Sequence, residues 1–271
     1  MPSPQELLEL AVEVATKAGR LVVEGRRGIV EVADTKSSPT DVVTKVDVAS
    51  EELIRREIRH ARPHDGFVGE EGADTVGTSP VTWVADPIDG TVNFLYDIPQ
   101  FAISLAARVA DEVLAGVVHN PVSGETFTAI LGGGGFRDGQ PITVSSCPDV
   151  ASALVGTGYA YRSDVRAHQG VESARLIPVV RDVRRLGSAA LDLCFVACGR
   201  LDAYVERGLK PWDLAAGRLI AEEAGARVSG LGGRDASELL VAAASEGLFP
   251  AFESALLDAG YGEWPMANWP A

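Results

Sequence analysis

The chain of 271 residues is short of cysteine and of long apolar runs. Its three cysteines, Cys147, Cys194 and Cys198, are an odd number without metal-site spacing, and the four histidines are scattered. This usage predicts reduced core cysteines of a cytoplasmic protein and no zinc site. No apolar run approaches the roughly 20 residues of a membrane span, and the N-terminus has no basic region followed by an apolar stretch. We therefore expect no membrane partner.

Basic residues are also scarce, and this limits the possible partners. The sequence holds 24 Lys and Arg against 38 Asp and Glu, which gives a net charge of −14 and a pI of about 4.7. No clustered basic stretch offsets this acidity, so the composition argues against nucleic acid as a partner. An anionic substrate would have to be attracted by bound cations.

The most informative segment is residues 83–94, with the sequence WVADPIDGTVNF. Residues 83–85 predict a short buried strand, and Pro87, which lacks an N–H group, is expected to turn the chain after Asp86. That turn would aim Asp86 and Asp89 together. Hard divalent cations bind oxygen ligands, and Mg²⁺ usually takes one or two carboxylates per ion. The spacing therefore predicts a metal site.

The same segment continues into a possible anion site. Gly90 permits a close backbone approach, and Thr91 could begin a helical turn whose free N–H groups face an anion. The alternative is that Asp89-Gly90 is an ordinary turn with a capping aspartate.

Further carboxylates follow two other elements. A strand-like stretch at 66–68 precedes Glu70 and Glu71, and Asp213 opens an apolar helix within the sequence PWDLAAG. The alternatives are solvated loop acids for the two glutamates and a plain helix N-cap for Asp213.

Periodicity predicts an α/β protein with two different halves. In the first half it predicts helices at 4–25 and 48–61 and antiparallel hairpins over 101–144. After Ser145 the pattern alternates, with strands at 153–155, 183–186 and 203–205 and helices at 166–179 and 190–198. We expect an α+β metal-binding half at 1–144 and an α/β half at 145–271 that completes one catalytic unit.

Four motifs, taken in order, resemble the inositol monophosphatase family over nearly the whole chain. They are GEE at 69–71, WVADPIDGTVNF at 83–94, LGSAALD at 186–192 and WDLAAG at 212–217. The resemblance implies the five-layer αβαβα sandwich of the sugar phosphatases, a homodimer, two or three Mg²⁺ ions and a small phosphate monoester as substrate. It implies as metal ligands Glu70, Asp86, Asp89, Asp213 and the main-chain carbonyl of Ile88.

The resemblance also implies the catalytic pair. Thr91 and Asp47 would form a relay in which the hydroxyl bonds the attacking water and the carboxylate accepts its proton. Without the resemblance, Asp47 is a routine acid in the first turn of the second helix.

Substrate contacts follow from the resemblance as well, and they comprise Glu70, Asp89, Gly90, Thr91, Gly187, Ser188, Ala189, Glu206 and Asp213. Carboxylates accept hydrogen bonds from ring hydroxyls, so Glu206 and Asp213 suit a neutral polyol such as the inositol of inositol 1-phosphate. Arg207 or Lys210 could accept a second anion, which keeps histidinol phosphate or fructose 1,6-bisphosphate as alternatives. A non-catalytic metal-binding regulatory protein is the alternative from another class, although such a protein would be expected to lose Thr91 or a ligand.

Overall fold

The computed structural model describes residues 3–27, 32–36 and 42–262. Within these ranges the helices are α1 (Pro4–Gly25), α2 (Lys45–Ala61), α3 (Thr91–Leu95), α4 (Ser163–Leu176), α5 (Ala189–Ala197), α6 (Pro211–Glu223) and α7 (Phe249–Ala259). The strands of the first half are β1 (Val32–Thr35), β2 (Val42–Thr44), β3 (Gly66–Gly69), β4 (Val81–Asp89), β5 (Ala102–Val109), β6 (Glu112–His119), β7 (Thr126–Ile130), β8 (Gly135–Arg137) and β9 (Gln140–Pro141). Those of the second half are β10 (Leu154–Thr157), β11 (Asp182–Arg184), β12 (Ala203–Glu206), β13 (Ala226–Ser229) and β14 (Val241–Ser245).

Side-chain caps fix where the first two long helices begin. Ser3 and Glu6 form a capping box at α1, in which the Glu6 N–H donates to Ser3 Oγ at 3.2 Å and the Ser3 N–H donates to Glu6 Oε2 at 2.8 Å. Thr44 and Asp47 do the same at α2. Because Asp47 belongs to this cap, α2 begins at Lys45, before the predicted start at residue 48.

The described residues form a two-stranded sheet of β1 and β2 and two larger sheets. The largest sheet confirms the predicted hairpins. It has the order β3-β4-β5-β6-β7-β8-β9, antiparallel from β4 onward, with β3 parallel to β4. The second sheet has the order β11-β10-β12-β14-β13. In it β10 runs parallel to β11 and β12, whereas β14 is antiparallel to β12.

Three apolar cores hold the five layers together. One core joins α1 and α2 to the large sheet. The second fills the space between the sheets, where α5 and α6 pack against both. The third covers the outer face of the smaller sheet with α4 and α7. The predicted αβαβα sandwich is therefore confirmed, and none of the helices in the described ranges is long and apolar enough to cross a bilayer.

The expected end of the strand at Asp86 is wrong. β4 continues to Asp89, and its partners on β5 are Ser104 for Asp86 and Ala102 for Asp89. Three steps along β4 thus face two along β5, which is a bulge. The extra residue absorbs Pro87, whose missing N–H would otherwise interrupt the ladder.

Boundaries in the second half shift by small amounts. The helix predicted at 166–179 is α4 followed by a 3₁₀ turn at Ile177–Val179. The strand predicted at 183–186 is β11, and the helix predicted at 190–198 is α5. All three cysteines are free thiols, as expected.

Gly19 lies where α1 crosses the large sheet, and its substitution tests this packing. A Cβ there would lie 2.8 Å from the His119 ring and 3.0 Å from Pro121 Cβ. We predict that Gly19→Ala lowers the free energy of unfolding by about 1–3 kcal/mol, because the added methyl forces the layers apart. Urea unfolding measures the change. The matched control is Gly170→Ala in α4, where a Cβ meets nothing within 4 Å and helix propensity should raise stability by about 0.5–1 kcal/mol. Equal effects at the two positions would contradict the packing argument.

Candidate metal and phosphate site

The bulge in β4 holds two aspartates in fixed positions. Asp86 Oδ1 accepts the Ile88 N–H at 2.9 Å, and Ser50 Oγ of α2 donates to the Pro87 carbonyl at 3.2 Å. These bonds fix the backbone between Asp86 and Asp89, so both carboxylates lie at the same end of the sheet.

Asp213 reaches this point from the second half of the chain. It lies in the first turn of α6, where Asp213 Oδ2 accepts the Lys210 N–H at 2.7 Å. Ser104 Oγ of β5 donates to the Trp212 carbonyl at 3.1 Å and ties the helix start to the large sheet. As a result, carboxylate oxygens of Asp86, Asp89 and Asp213 all lie within 4.8 Å of one another.

The three carboxyls disfavour each other's ionisation. Burial raises the pKa of Asp86 and of Asp213 well above the usual range, and the charges of Glu70 and Asp89 raise both further. Burial also raises the pKa of Asp89, to about 6. Like charges this close ionise together only when a cation compensates them. An all-oxygen, anionic donor set of this kind fits a hard divalent cation.

Asp89 is clamped by the start of α5. Ser188 Oγ donates to Asp89 Oδ2 at 2.6 Å, and the Ala190 N–H donates to the same oxygen at 2.7 Å. Ser188 is 1% exposed and therefore orients Asp89, whereas Gly187 and Ala189 line the cleft.

Glu70 and Glu71 both pair with the ammonium group of Lys36, a contact that sequence reasoning missed. Lys36 Nζ lies 2.7 Å from Glu70 Oε1 and 2.8 Å from Glu71 Oε1. Burial raises the pKa of Glu71 to about 7, against the effect of Lys36, so Glu71 is not the solvated loop acid considered above. No motif marks Lys36, because it belongs to a polar segment without periodicity.

Asp47 and Thr91 form a buried pair, and Asp47 also belongs to the cap of α2. Thr91 Oγ1 lies 3.0 Å from Asp47 Oδ1 and 3.1 Å from the Ile88 carbonyl, and it can donate to either. Asp47 Oδ2 accepts the Thr44 N–H at 2.9 Å as part of the α2 cap. Burial raises the pKa of Asp47 to about 6, and the bonds from Thr44 and Thr91 oppose that rise.

Gly90 can only be glycine. Its φ is +103°, and a Cβ would lie 3.0 Å from the carbonyl oxygens of Gln100 and Gly187. α3 begins directly after it, as predicted. Asn93 Nδ2 then donates to the Gln100 and Leu186 carbonyls, each at 2.7 Å, and joins α3 to the segment before α5.

A cleft of about 460 Å³ brings both halves together. The predicted residues that line it are Glu70, Asp86, Ile88, Asp89, Gly90, Thr91, Gly187, Ala189, Glu206 and Asp213. Burial raises the pKa of Glu206 to about 7, and the bond from Tyr204 opposes this.

Basic residues also line the cleft, and the two that were expected to accept a second anion have acidic partners. Arg207 is buried and pairs with Glu172 at 2.9 Å, and Lys210 pairs with Glu238. Both line the cleft and both have an acidic partner, so a second anion would compete with a carboxylate for either of them. Arg185, which the sequence reasoning did not select, lines the same cleft, and its charge lowers the pKa of Glu206.

Comparison with known proteins identifies the family. The sequence profile of the inositol monophosphatase family matches residues 3–257. The chain is 45% identical over 244 residues to the inositol-1-monophosphatase SuhB of Mycobacterium tuberculosis, which covers 83% of this chain and 84% of that protein.

Solved structures show the same similarity. The extragenic suppressor protein SuhB of Bartonella henselae has a TM-score of 0.87 at 34% identity, covering 93% of this chain and 98% of that chain. Mycobacterium tuberculosis SuhB has a TM-score of 0.82 at 38% identity, covering 97% and 100%. The chain therefore belongs to the inositol monophosphatase family, and it is a phosphoric monoester hydrolase.

Proposed function

We propose that this phosphatase uses Mg²⁺ to hydrolyse inositol 1-phosphate to myo-inositol and phosphate. The observation that carries the proposal is one cleft that contains the Asp86, Asp89 and Asp213 cluster, the Thr91 hydroxyl and the Glu206 carboxylate.

The cluster is the proposed site of two or three Mg²⁺ ions. Asp86, Asp89 and Asp213 would hold them, together with Glu70 and the Ile88 carbonyl. When bound, Mg²⁺ activates water and neutralises negative charge on the phosphoryl group. The raised pKa values in the cluster support this proposal, since they reflect burial of the carboxyls and repulsion between their charges, and a bound divalent cation compensates both.

Thr91 and Asp47 are the proposed proton relay. When Thr91 Oγ1 donates to Asp47 Oδ1, its lone pairs remain to accept a hydrogen bond from the attacking water. The water proton would pass to Thr91 Oγ1 as the Thr91 hydroxyl proton passes to Asp47 Oδ1, which leaves a hydroxide to attack and a protonated Asp47. A carboxylate with a pKa of about 6 is better matched to a base near neutral pH than an ordinary aspartate is. The N–H groups of Gly90 and Thr91 would bind a phosphate oxygen.

The alcohol half of the substrate is assigned to Glu206 and Asp213, with Gly187 and Ala189 as the wall. Carboxylates accept hydrogen bonds from hydroxyls, which suits a neutral polyol. Ser188 would act through Asp89. One feature favours a second candidate, because Arg185 in the same cleft could accept the second phosphate of a sugar bisphosphate. A panel of inositol 1-phosphate, histidinol phosphate and fructose 1,6-bisphosphate separates these substrates by kcat/KM.

We also propose that residues 1–144 and 145–271 act as one catalytic unit and that the enzyme is a cytoplasmic homodimer. The Ser188–Asp89 bond across the two halves supports the first proposal. The free cysteines are in keeping with a reducing compartment. Tyr96 and Ile98 are 72% and 47% exposed on one loop, which suits an apolar contact between protomers.

We predict that Asp89→Asn abolishes Mg²⁺-dependent phosphate release while the protein stays folded. Activity falls because a ligand charge is lost. In the metal-free wild type, the folded state binds a proton at Asp89 more tightly than the unfolded state does, because the pKa of Asp89 is raised to about 6 in the fold. Asp89 therefore stabilises the fold at pH 4, and this contribution is lost as the pH rises through about 6. Thermal unfolding at pH 5 and pH 8 should therefore show a smaller pH dependence in the metal-free variant. Near-normal turnover at moderate Mg²⁺ would refute the metal assignment.

We predict that Thr91→Ala and Asp47→Asn each lower kcat by roughly 10²–10⁴-fold, the range for general acid–base groups. The double variant should be no slower than the slower single variant, because residues of one relay are not additive. Since Asp47 also caps α2, unfolding must be measured in parallel. Multiplicative losses in folded variants would mean that the two residues have separate roles.

We predict that Glu206→Gln lowers kcat/KM for inositol 1-phosphate by about 10–100-fold at pH 8, where Glu206 is ionised, as a lost charged hydrogen bond would. An aryl phosphate lacks the ring hydroxyls and should be hydrolysed normally. Glu112→Gln, an exposed acid on β6, is the control. Equal impairment of both substrates would place Glu206 among the metal ligands instead.

A further inference from the structure

The Glu206 carboxylate is held by a hydroxyl within its own strand. Tyr204 and Glu206 are two residues apart on β12, so their side chains share one face of the sheet. Tyr204 Oη donates to Glu206 Oε2 at 2.5 Å, and Tyr204 is 0% exposed. The ring is fixed by the surrounding core between the two sheets, so the hydroxyl is an immobile donor.

The neighbouring strand leaves space for the same carboxylate. β10 pairs in parallel with β12 and sets Thr157 beside Val205, so Gly158 follows beside Glu206. A Cβ on residue 158 would overlap the Glu206 carboxyl group. The φ of Gly158 lies outside the left-handed region. The backbone would therefore accept alanine, and the constraint on this position is space.

Fixing the carboxylate in this way matters for a residue that recognises hydroxyl groups. A free glutamate loses about 1.5–2 kcal/mol of rotamer entropy when it is fixed, and prior fixing removes this cost from substrate binding. The Tyr204 bond engages Oε2 and leaves Oε1 for a substrate hydroxyl.

We propose that Tyr204 and Gly158 are positioning residues for substrate specificity: the tyrosine hydroxyl fixes the Glu206 carboxylate, and the glycine gives it room. This inference rests on the proposed function of Glu206 as the acceptor for the alcohol half of the substrate. The Tyr204 hydroxyl bonds Glu206, and the nearest atoms to a Cβ at residue 158 are those of the Glu206 carboxyl group. Their effect should therefore depend on the alcohol that the substrate carries.

The first test is Tyr204→Phe, which removes the hydroxyl and keeps the ring. We expect kcat/KM for inositol 1-phosphate to fall about 10-fold, which is the scale of one hydrogen bond to a charged group. We expect kcat/KM for p-nitrophenyl phosphate to change less than about 2-fold. Tyr261→Phe is the matched control, because Tyr261 is another buried tyrosine that bonds Ser173 away from the cleft. It should change stability without changing the ratio between the substrates.

A pH profile separates positioning from a structural effect. The groups that face Glu206 are Tyr204, Arg185, Asp89 and Asp192. Loss of the Tyr204 bond raises the pKa of Glu206, because that bond favours the ionised form. The acidic limb of kcat/KM for inositol 1-phosphate should therefore move to higher pH in Tyr204→Phe, whereas the limb for p-nitrophenyl phosphate stays in place.

Gly158→Ala tests the space that the Glu206 carboxylate occupies, because the added methyl would displace the carboxyl group. It should lower kcat/KM for inositol 1-phosphate at least 10-fold with little effect on p-nitrophenyl phosphate. Combined with Tyr204→Phe it should give less than the product of the two losses, since both act through one carboxylate. Gly170→Ala serves as control for the added methyl.

The outcomes separate this inference from the function on which it rests. If Glu206→Gln impairs hydrolysis of inositol 1-phosphate selectively and Tyr204→Phe does not, the positioning role of Tyr204 is refuted and the role of Glu206 stands. If Glu206→Gln leaves kcat/KM for both substrates unchanged, the proposed role of Glu206 is refuted, and the positioning role of Tyr204 and Gly158 is refuted with it. Equal losses on both substrates in Tyr204→Phe would identify a purely structural residue.

Discussion

Repulsion among three closely spaced carboxylates is the constraint on which the rest of this structure depends. Carboxylate oxygens of Asp86, Asp89 and Asp213 lie within 4.8 Å of one another, and these residues accept main-chain N–H groups of Ile88, Ala190 and Lys210 respectively. These bonds orient the acids without neutralising them. A cation is needed to complete the balance, and this explains how so acidic a protein can act on phosphate monoesters.

The central helical layer brings the carboxylates together. α5 and α6 pack between the two sheets, so the start of α5 reaches Asp89 on the large sheet and the start of α6 carries Asp213 to the same point. Neither sheet alone would build the cluster. The thickness of the sandwich and the register of the β4 bulge thus decide the geometry of the chemistry.

Asp47 shows that a helix cap and a proposed catalytic role are compatible in one residue. A carboxylate has two oxygens, and here one oxygen caps α2 while the other accepts from Thr91. The cap fixes the position of the proposed base relative to the strand that carries its partner. A sequence pattern therefore cannot separate a helix cap from a catalytic acid, because the local requirement is the same for both.

The sequence by itself determined the elements and the types of ligand. Periodicity, capping residues and turn signals act over a few neighbouring residues, and they located α1, the hairpins of the large sheet and the carboxylates of residues 83–94. Tertiary structure decided the rest. It carried β4 past Pro87, because pairing with β5 compensates for the missing N–H. It also paired Arg207 with Glu172, set Lys36 between Glu70 and Glu71, and brought Tyr204 and Gly158 to Glu206. These contacts join residues whose proximity depends on packing between layers, and no local pattern records it.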